Sequence, residues 1–179
     1  MLGYLVPGQQ LTAPSTTLST TTVPTPRLDL LLQTPAETLA WVESLPPEVR
    51  VEVSPEWIAR VQNSEPGNPW TLGFSARLRD SGAVVGTCAF KGPPTADGTV
   101  EIAYGIAEEY RGCGYASEAA SALTTFAFGA GSVRCVRAHT KIDNVASVRV
   151  LERCGFRCVG EVVDPDDGLV SRYERVIAD

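Results

Sequence analysis

Histidine is nearly missing from this sequence: His139 is the only one. Cysteine is scarce and odd in number, with five residues at 88, 113, 135, 154 and 158. They form no zinc-type pair of pairs, so no metal is expected. Cys154 and Cys158 fall on a predicted helix and a following strand, which argues against a bridge. Reduced thiols throughout fit a cytoplasmic protein. No apolar run is long enough to span a membrane. The N-terminus also lacks the basic-then-apolar pattern of a signal peptide. Basic charge is in deficit: the net charge is −6 and the isoelectric point is near 4.9. That speaks against direct nucleic-acid binding, which needs a basic face. It favours a cationic substrate only weakly, because net charge is a long-range bias and not a site.

What is present describes a globular chain. Over 179 residues, 44% are hydrophobic and 20% charged, enough for one domain with a real core. Residues 1–26 are rich in Thr, Ser and Pro and read as an extended or disordered arm. Residues 27–179 read as the single folded domain. A first strand spans 27–32. Thr34, Pro35 and Glu37 then open a helix with a capping box, which stops at Pro46-Pro47. Ser54-Pro55 repeats the start signal for a helix to about Ser64. Strands are predicted over 70–79, 83–90, 99–107 and 132–140. A central helix follows the third of these and ends at Gly129-Ala130-Gly131. Asp143 or Asn144 caps a helix over about 145–154, closed by Gly155. Strands over 156–163 and 169–177 form a closing hairpin. The order implies an α/β fold, with helices flanking a mixed, mostly antiparallel sheet.

The informative stretch is Glu108-Glu-Tyr-Arg-Gly-Cys-Gly-Tyr-Ala116. A strand hands over to a helix here, and Gly112 and Gly114 sit in the turn. The helix carries apolar residues at 116, 119, 120, 123 and 127, one buried stripe. A helix start leaves backbone N–H groups without partners. Glycine lets a ligand approach them closely, and the helix dipole favours an anion by about 0.3–2 kcal/mol. The turn reads as a cradle for phosphate or pyrophosphate, or as an ordinary tight loop. Neither common nucleotide fingerprint is present: the Lys-Ser/Thr of a P-loop is missing, and Gly-x-Gly-x-x-Gly is not completed.

Arg111-x-x-Gly114-x-Ala116 resembles the Arg/Gln-x-x-Gly-x-Gly/Ala signature of the GNAT acetyltransferases. Residues 109–119 resemble the Rim-type group, which acetylates ribosomal-protein N-termini. The likeness spans roughly residues 26–177. It implies the GNAT fold, with the strands at 99–107 and 132–140 splayed apart to admit acetyl-CoA. It implies that Ile106, Arg111, Gly112, Cys113, Gly114, Tyr115 and Ala116 bind the cofactor, residues 111–116 at its pyrophosphate. It implies that Asn144 contacts the pantetheine arm and that Ser147 lies near the thiol, where Ser147 is the expected catalytic group that protonates or hydrogen-bonds the leaving thiolate. Read from the residues, Glu101 shares a strand face with the small Ala103 and Gly105, opposite an apolar face of Val100, Ile102, Tyr104 and Ile106. It is either a solvent-facing residue or a carboxylate base with room for a substrate beside it. The resemblance favours the base, because Glu-Ile-x-Tyr matches the Rim-type pattern. One position departs: many relatives carry a tyrosine as the thiolate's acid where this chain has Leu151. His139 reads as a polar strand-end residue with a base as the alternative. Cys113 reads as a small loop residue, and Trp41, Trp57 and Trp70 as core or groove-wall residues. The expected activity is acetyl transfer to a primary amine, on a protein N-terminus or a small molecule. A non-catalytic acyl-CoA-binding module on the same fold is the alternative. Oligomeric state is left open, a homodimer included.

Overall fold

The computed structural model describes residues 21–51, 53–164 and 168–177, so most of the expected N-terminal arm lies outside them. Among the described residues, eight strands form one sheet: β1 (Thr22–Pro24), β2 (Leu28–Leu32), β3 (Phe74–Leu78), β4 (Val84–Phe90), β5 (Thr99–Ile106), β6 (Cys135–Lys141), β7 (Arg157–Asp164) and β8 (Gly168–Val176). The helices are α1 (Pro35–Ser44), α2 (Pro47–Arg50), α3 (Pro55–Gln62), α4 (Tyr115–Gly129) and α5 (Val145–Arg153).

The predicted caps are in place. The Glu37 N–H donates to Thr34 Oγ1 at 3.1 Å, and the Thr34 N–H donates back to the Glu37 carboxylate at 2.7 Å. Asn144 Oδ1 caps α5 by accepting the Ser147 N–H at 3.0 Å. Four boundaries differ from the sequence reading. Residues 22–24, assigned to the arm, pair with β2 as the edge strand β1. α1 stops before Pro46-Pro47 as expected, but Pro47 then starts the short α2, a position its fixed φ suits. The third strand begins at Phe74, not Trp70. Asn68 gathers the Trp70, Thr71 and Leu72 N–H groups and holds this stretch as a turn. β6 begins at Cys135, not Ser132, because the Gly98 carbonyl takes both the Arg134 and Cys135 N–H groups.

The strand order is β1-β2-β3-β4-β5-β6-β8-β7. Among the described pairs, β5–β6 is parallel and the rest are antiparallel. The parallel pairing is short. It runs Thr99↔Cys135, Val100↔Val136, Glu101↔Arg137 and stops. Beyond it β5 continues to Ile106 paired with β4, and β6 continues to Lys141 paired with β8. The sheet therefore forks at Glu101, as expected for splayed strands.

Helices cover both faces. On one, Phe126 of α4 packs against Phe74 and Phe90, with ring centroids 5.9 and 6.2 Å apart. Such pairs add about 0.5–1.5 kcal/mol each beyond their burial. The expected stripe of α4 is buried at Ala119, Ala120, Leu123 and Ala127. On the other face, α1 and α3 lie over β4. The start of α4 is tied down from the β1–β2 turn. Glu118 accepts from the Thr25 hydroxyl, from the Arg27 N–H at 2.7 Å and from Arg27 Nε at 2.8 Å. Burial alone would raise this carboxyl, but those hydrogen bonds and the Arg27 charge outweigh it and hold it below its ordinary range. A depressed carboxyl stabilises the fold above its unfolded pKa, and the effect is lost as pH falls through the folded value. Glu118→Gln is expected to cost about 1–2 kcal/mol at neutral pH, with exposure of Arg27 discounting the charge. Melting curves across pH should show that difference shrinking below about pH 4; a difference constant with pH would contradict the assignment.

Candidate active site

The glycine turn is built as a concave backbone. Gly112 and Gly114 have φ of +77° and +83°, conformations that L side chains rarely adopt. Gly114 is the residue before α4, and no side chain caps that helix start. A Cβ at Gly112 would meet nothing within 4 Å, so the approach to the turn is open. Arg27 braces it from one side. Its guanidinium donates to the Cys113 carbonyl at 2.9 Å and lies 4.7 Å from the Tyr115 ring centroid. Arg111 folds back and donates to the Ile106 carbonyl at 3.3 Å, joining the turn to the end of β5. The first-turn N–H groups of α4 face out with no partner inside the helix. Such an arrangement can hold an anion.

At the fork, charged side chains from five elements converge. Lys91, just past β4, sits opposite Glu101 and reaches its Oε1 at 2.8 Å. His139 Nδ1 lies 3.1 Å from the same oxygen. Arg172 Nε donates to His139 Nε2 at 3.3 Å. Arginine only donates, so Nε2 is the acceptor nitrogen and Nδ1 carries the proton that faces Glu101. Asp164 at the end of β7 stands 3.9 Å from His139 Nδ1 and 4.0 Å from Lys91 Nζ. The structure thus brings together Glu101 and His139, which the sequence presented separately.

Glu101 looks onto the α1–α3 side. Trp41 and Trp57 wall a shallow cleft open to solvent, with Thr87 and Ala89 of β4 in its floor. Thr87 pairs with Gly105 and Ala89 with Ala103. The small residues of β5 therefore continue the floor from the cleft to Glu101, two residues further along the same face. The opposite face carries the other candidate groups. Ser147 Oγ, in the first turn of α5, lies 3.2 Å from the Tyr104 hydroxyl. Burial pushes that phenol up to about 12. Thr140, near the open end of β6, has a buried Oγ1 with no hydrogen-bond partner among the described residues. All five cysteines are free thiols. Cys88 is pushed up to about 12 by burial, and Cys113 lies exposed in the glycine turn.

A fold with this fork and this turn defines a class. The Acetyltransferase (GNAT) domain model matches residues 25–157, and the chain belongs to that family. Two relatives are similar over part of their length. The uncharacterized N-acetyltransferase p20 of Bacillus licheniformis is 28% identical over 102 residues, 57% of this chain and 53% of that one. The uncharacterized N-acetyltransferase YjdG of Bacillus subtilis (strain 168) is 33% identical over 92 residues, 50% of this chain and 55% of that one. The chain thus spans about half the length of the curated relatives it matches. Among solved structures, the ribosomal L7/L12 alpha-N-protein acetyltransferase RimL in complex with coenzyme A superposes with a TM-score of 0.65. The two are 18% identical, over 88% of this chain and 98% of that one.

Lys91, Asp164 and Arg172 escaped the sequence reading, because they come from three separate places in the chain: just past β4, the end of β7 and the middle of β8. Tyr104 was assigned to the apolar face, and nothing in its own strand marks a serine from another element as its partner. Arg27 lies far from the glycine turn in sequence, although Glu118, its anchor, is in the motif. A test of the turn follows from its geometry. A side chain at Gly114 must adopt φ +83° and would meet Arg27 Nη2 at 3.4 Å. Gly114→Val is expected to abolish acetyl-CoA binding in calorimetry, while Cys113→Ala remains within about 3-fold, as surface changes usually do. Unchanged affinity in Gly114→Val would remove the turn from cofactor binding.

Proposed function

We propose that the chain is an acetyl-CoA-dependent N-acetyltransferase that moves the acetyl group directly to a primary amine. The observation that carries this reading is the fork at Glu101 beside an uncapped, glycine-hinged helix start. Backbone N–H groups of residues 111–116, with the Ile106–Arg111 bond holding their shape, would hold the pyrophosphate. The Asn144 Oδ1 is spent on the cap, which leaves its amide N–H groups to donate to the pantetheine arm. The thioester would then lie in the opening between β5 and β6. RimL, with the same fold, binds coenzyme A, which supports the choice of cosubstrate. Free thiols suit a reducing, cytoplasmic setting.

Glu101 is the proposed base, acting through a water. Lys91 and His139 both contact its Oε1, which fixes the carboxylate against the open cleft. The chemistry asked of it is modest for one class of acceptor. At pH 7, deprotonating an α-amine of pKa about 7.7–8.0 costs about 1–1.4 kcal/mol, against about 4.6 kcal/mol for a lysine near 10.4. A weak base therefore suits a protein N-terminus or a similarly acidic small amine, entering past Trp41 and Trp57. Likeness to the Rim-type motif points the same way.

The purified chain, given acetyl-CoA and a panel of N-terminal peptides, amino acids, polyamines and aminoglycosides, should release CoA with at least one amine. CoA binding without turnover on any of them would favour the non-catalytic module. With a working acceptor, Glu101→Gln should lower kcat by about 100-fold or more with little change in acetyl-CoA affinity. The loss should be largest at low pH, where less free amine is present. Full activity of that variant would shift the base to His139.

A further inference from the structure

We propose that Tyr104 is a positioning residue for the leaving thiolate: its hydroxyl donates to Ser147 Oγ and so turns the serine's own proton toward the CoA sulfur. The inference rests on the acetyltransfer reading above. Leu151 lies one helical turn beyond Ser147 on α5. That leucine is fully buried in the core and can neither donate nor accept. The phenol is supplied instead by β5. Tyr104 lies beyond the last β5–β6 pair, on the strand that borders the opening, and its oxygen is 3.2 Å from Ser147 Oγ.

Three observations decide the direction of that hydrogen bond. A phenol is more acidic than an aliphatic alcohol, so it is the better donor of the two. Burial pushes the Tyr104 phenol up to about 12, so it keeps its proton at any working pH. The Ser147 N–H is already held by Asn144 Oδ1, so the serine hydroxyl is not needed to cap its own helix. With the Tyr104 proton occupying one lone pair, the serine proton is left for a third group. The positive end of α5 favours an anion at the same turn.

In the reaction the amine nitrogen bonds to the acetyl carbon and the carbon–sulfur bond breaks. The electron pair of that bond stays on sulfur. The amine proton leaves by way of Glu101 and water. Ser147 donates a hydrogen bond to the new thiolate, which finally takes a proton from water. Tyr104 is not the source of that proton, since a phenol near 12 is a weaker acid than a thiol near 8.5. It orients the serine and stays a phenol.

The test reads the thiol of bound CoA, which needs no acceptor. Thiolate ultraviolet absorbance of the CoA complex is titrated for wild type, Tyr104→Phe, Ser147→Ala, Ser147→Thr and the Tyr104→Phe/Ser147→Ala double variant. Phenylalanine keeps the half-buried ring, and calorimetry shows whether CoA still binds. Tyr104→Phe should raise the bound thiol's pKa by about half a unit to one unit, the worth of one neutral hydrogen bond. Ser147→Ala should raise it at least as far, the double variant no further than Ser147→Ala, and Ser147→Thr should hold the wild-type value. With an acceptor in hand, Tyr104→Phe should lower kcat about 3- to 10-fold at constant KM for acetyl-CoA. A Tyr104→Phe titration that overlays wild type would overturn the proposal, as would additive effects in the double variant. A panel that yields no acetylated amine would instead sink the acetyltransferase reading and leave the titration result standing.

Discussion

Everything at this site depends on where β5 and β6 stop pairing. Three register pairs join them, and the last is Glu101↔Arg137. Past that point each strand keeps a partner on its outer side, β4 for β5 and β8 for β6. The gap is therefore held open by two intact antiparallel ladders and not by a loose edge. Backbone groups facing the gap have no ladder partner there, and buried backbone groups rarely stay unpaired. A flat, polar ligand inserted between the strands would satisfy them. The ion-pair cluster at the apex works in the same direction. Lys91, Glu101, His139 and Arg172 come from four neighbouring strands or strand ends, and their contacts tie those strands together at the fork.

A fork lets both faces of a sheet act on one point. In the proposed reaction the donor is held from the α4–α5 face, by the glycine turn, Asn144 and Ser147. The acceptor comes from the α1–α3 face, past Trp41 and Trp57 and over Ala103 and Gly105. In a closed sheet these two sets would be separated by the thickness of the backbone. Here residues of β5 an odd number of positions apart serve opposite sides: Glu101 reaches one and Tyr104 the other. The Arg27–Glu118 anchor extends the device to the glycine turn, where the far end of the cofactor would lie. It fixes the start of α4, and Arg27 also holds the Cys113 carbonyl.

The local parts of this account were legible in the sequence because they depend on near neighbours. Thr34 with Glu37, Asn144 with Ser147, and the two glycines before α4 carry their geometry within a few residues. The face of Glu101 followed from strand alternation. What escaped came from long-range pairing. Asp164 and Arg172 reach Glu101's cluster only because the β7–β8 hairpin returns along β6. Tyr104 meets Ser147 across 43 residues, with no pattern in either segment to announce it. Two boundary errors share another cause: Asn68 and Gly98 take N–H groups that would otherwise have extended a ladder. The alternation of 70–73 and 132–134 suits a strand, but the turn at each place wins the hydrogen bonds.

The claim at the centre is that the β5–β6 fork receives the thioester. The most direct measurement is a crystal structure of the protein soaked or grown with acetyl-CoA. The account predicts the pyrophosphate against the backbone of residues 112–116 and the acetyl carbonyl in the opening beyond the Glu101↔Arg137 pair, with the sulfur on the Ser147 side. Acetyl-CoA bound elsewhere, or β5 and β6 found paired through to Ile106 with the ligand outside the sheet, would contradict it.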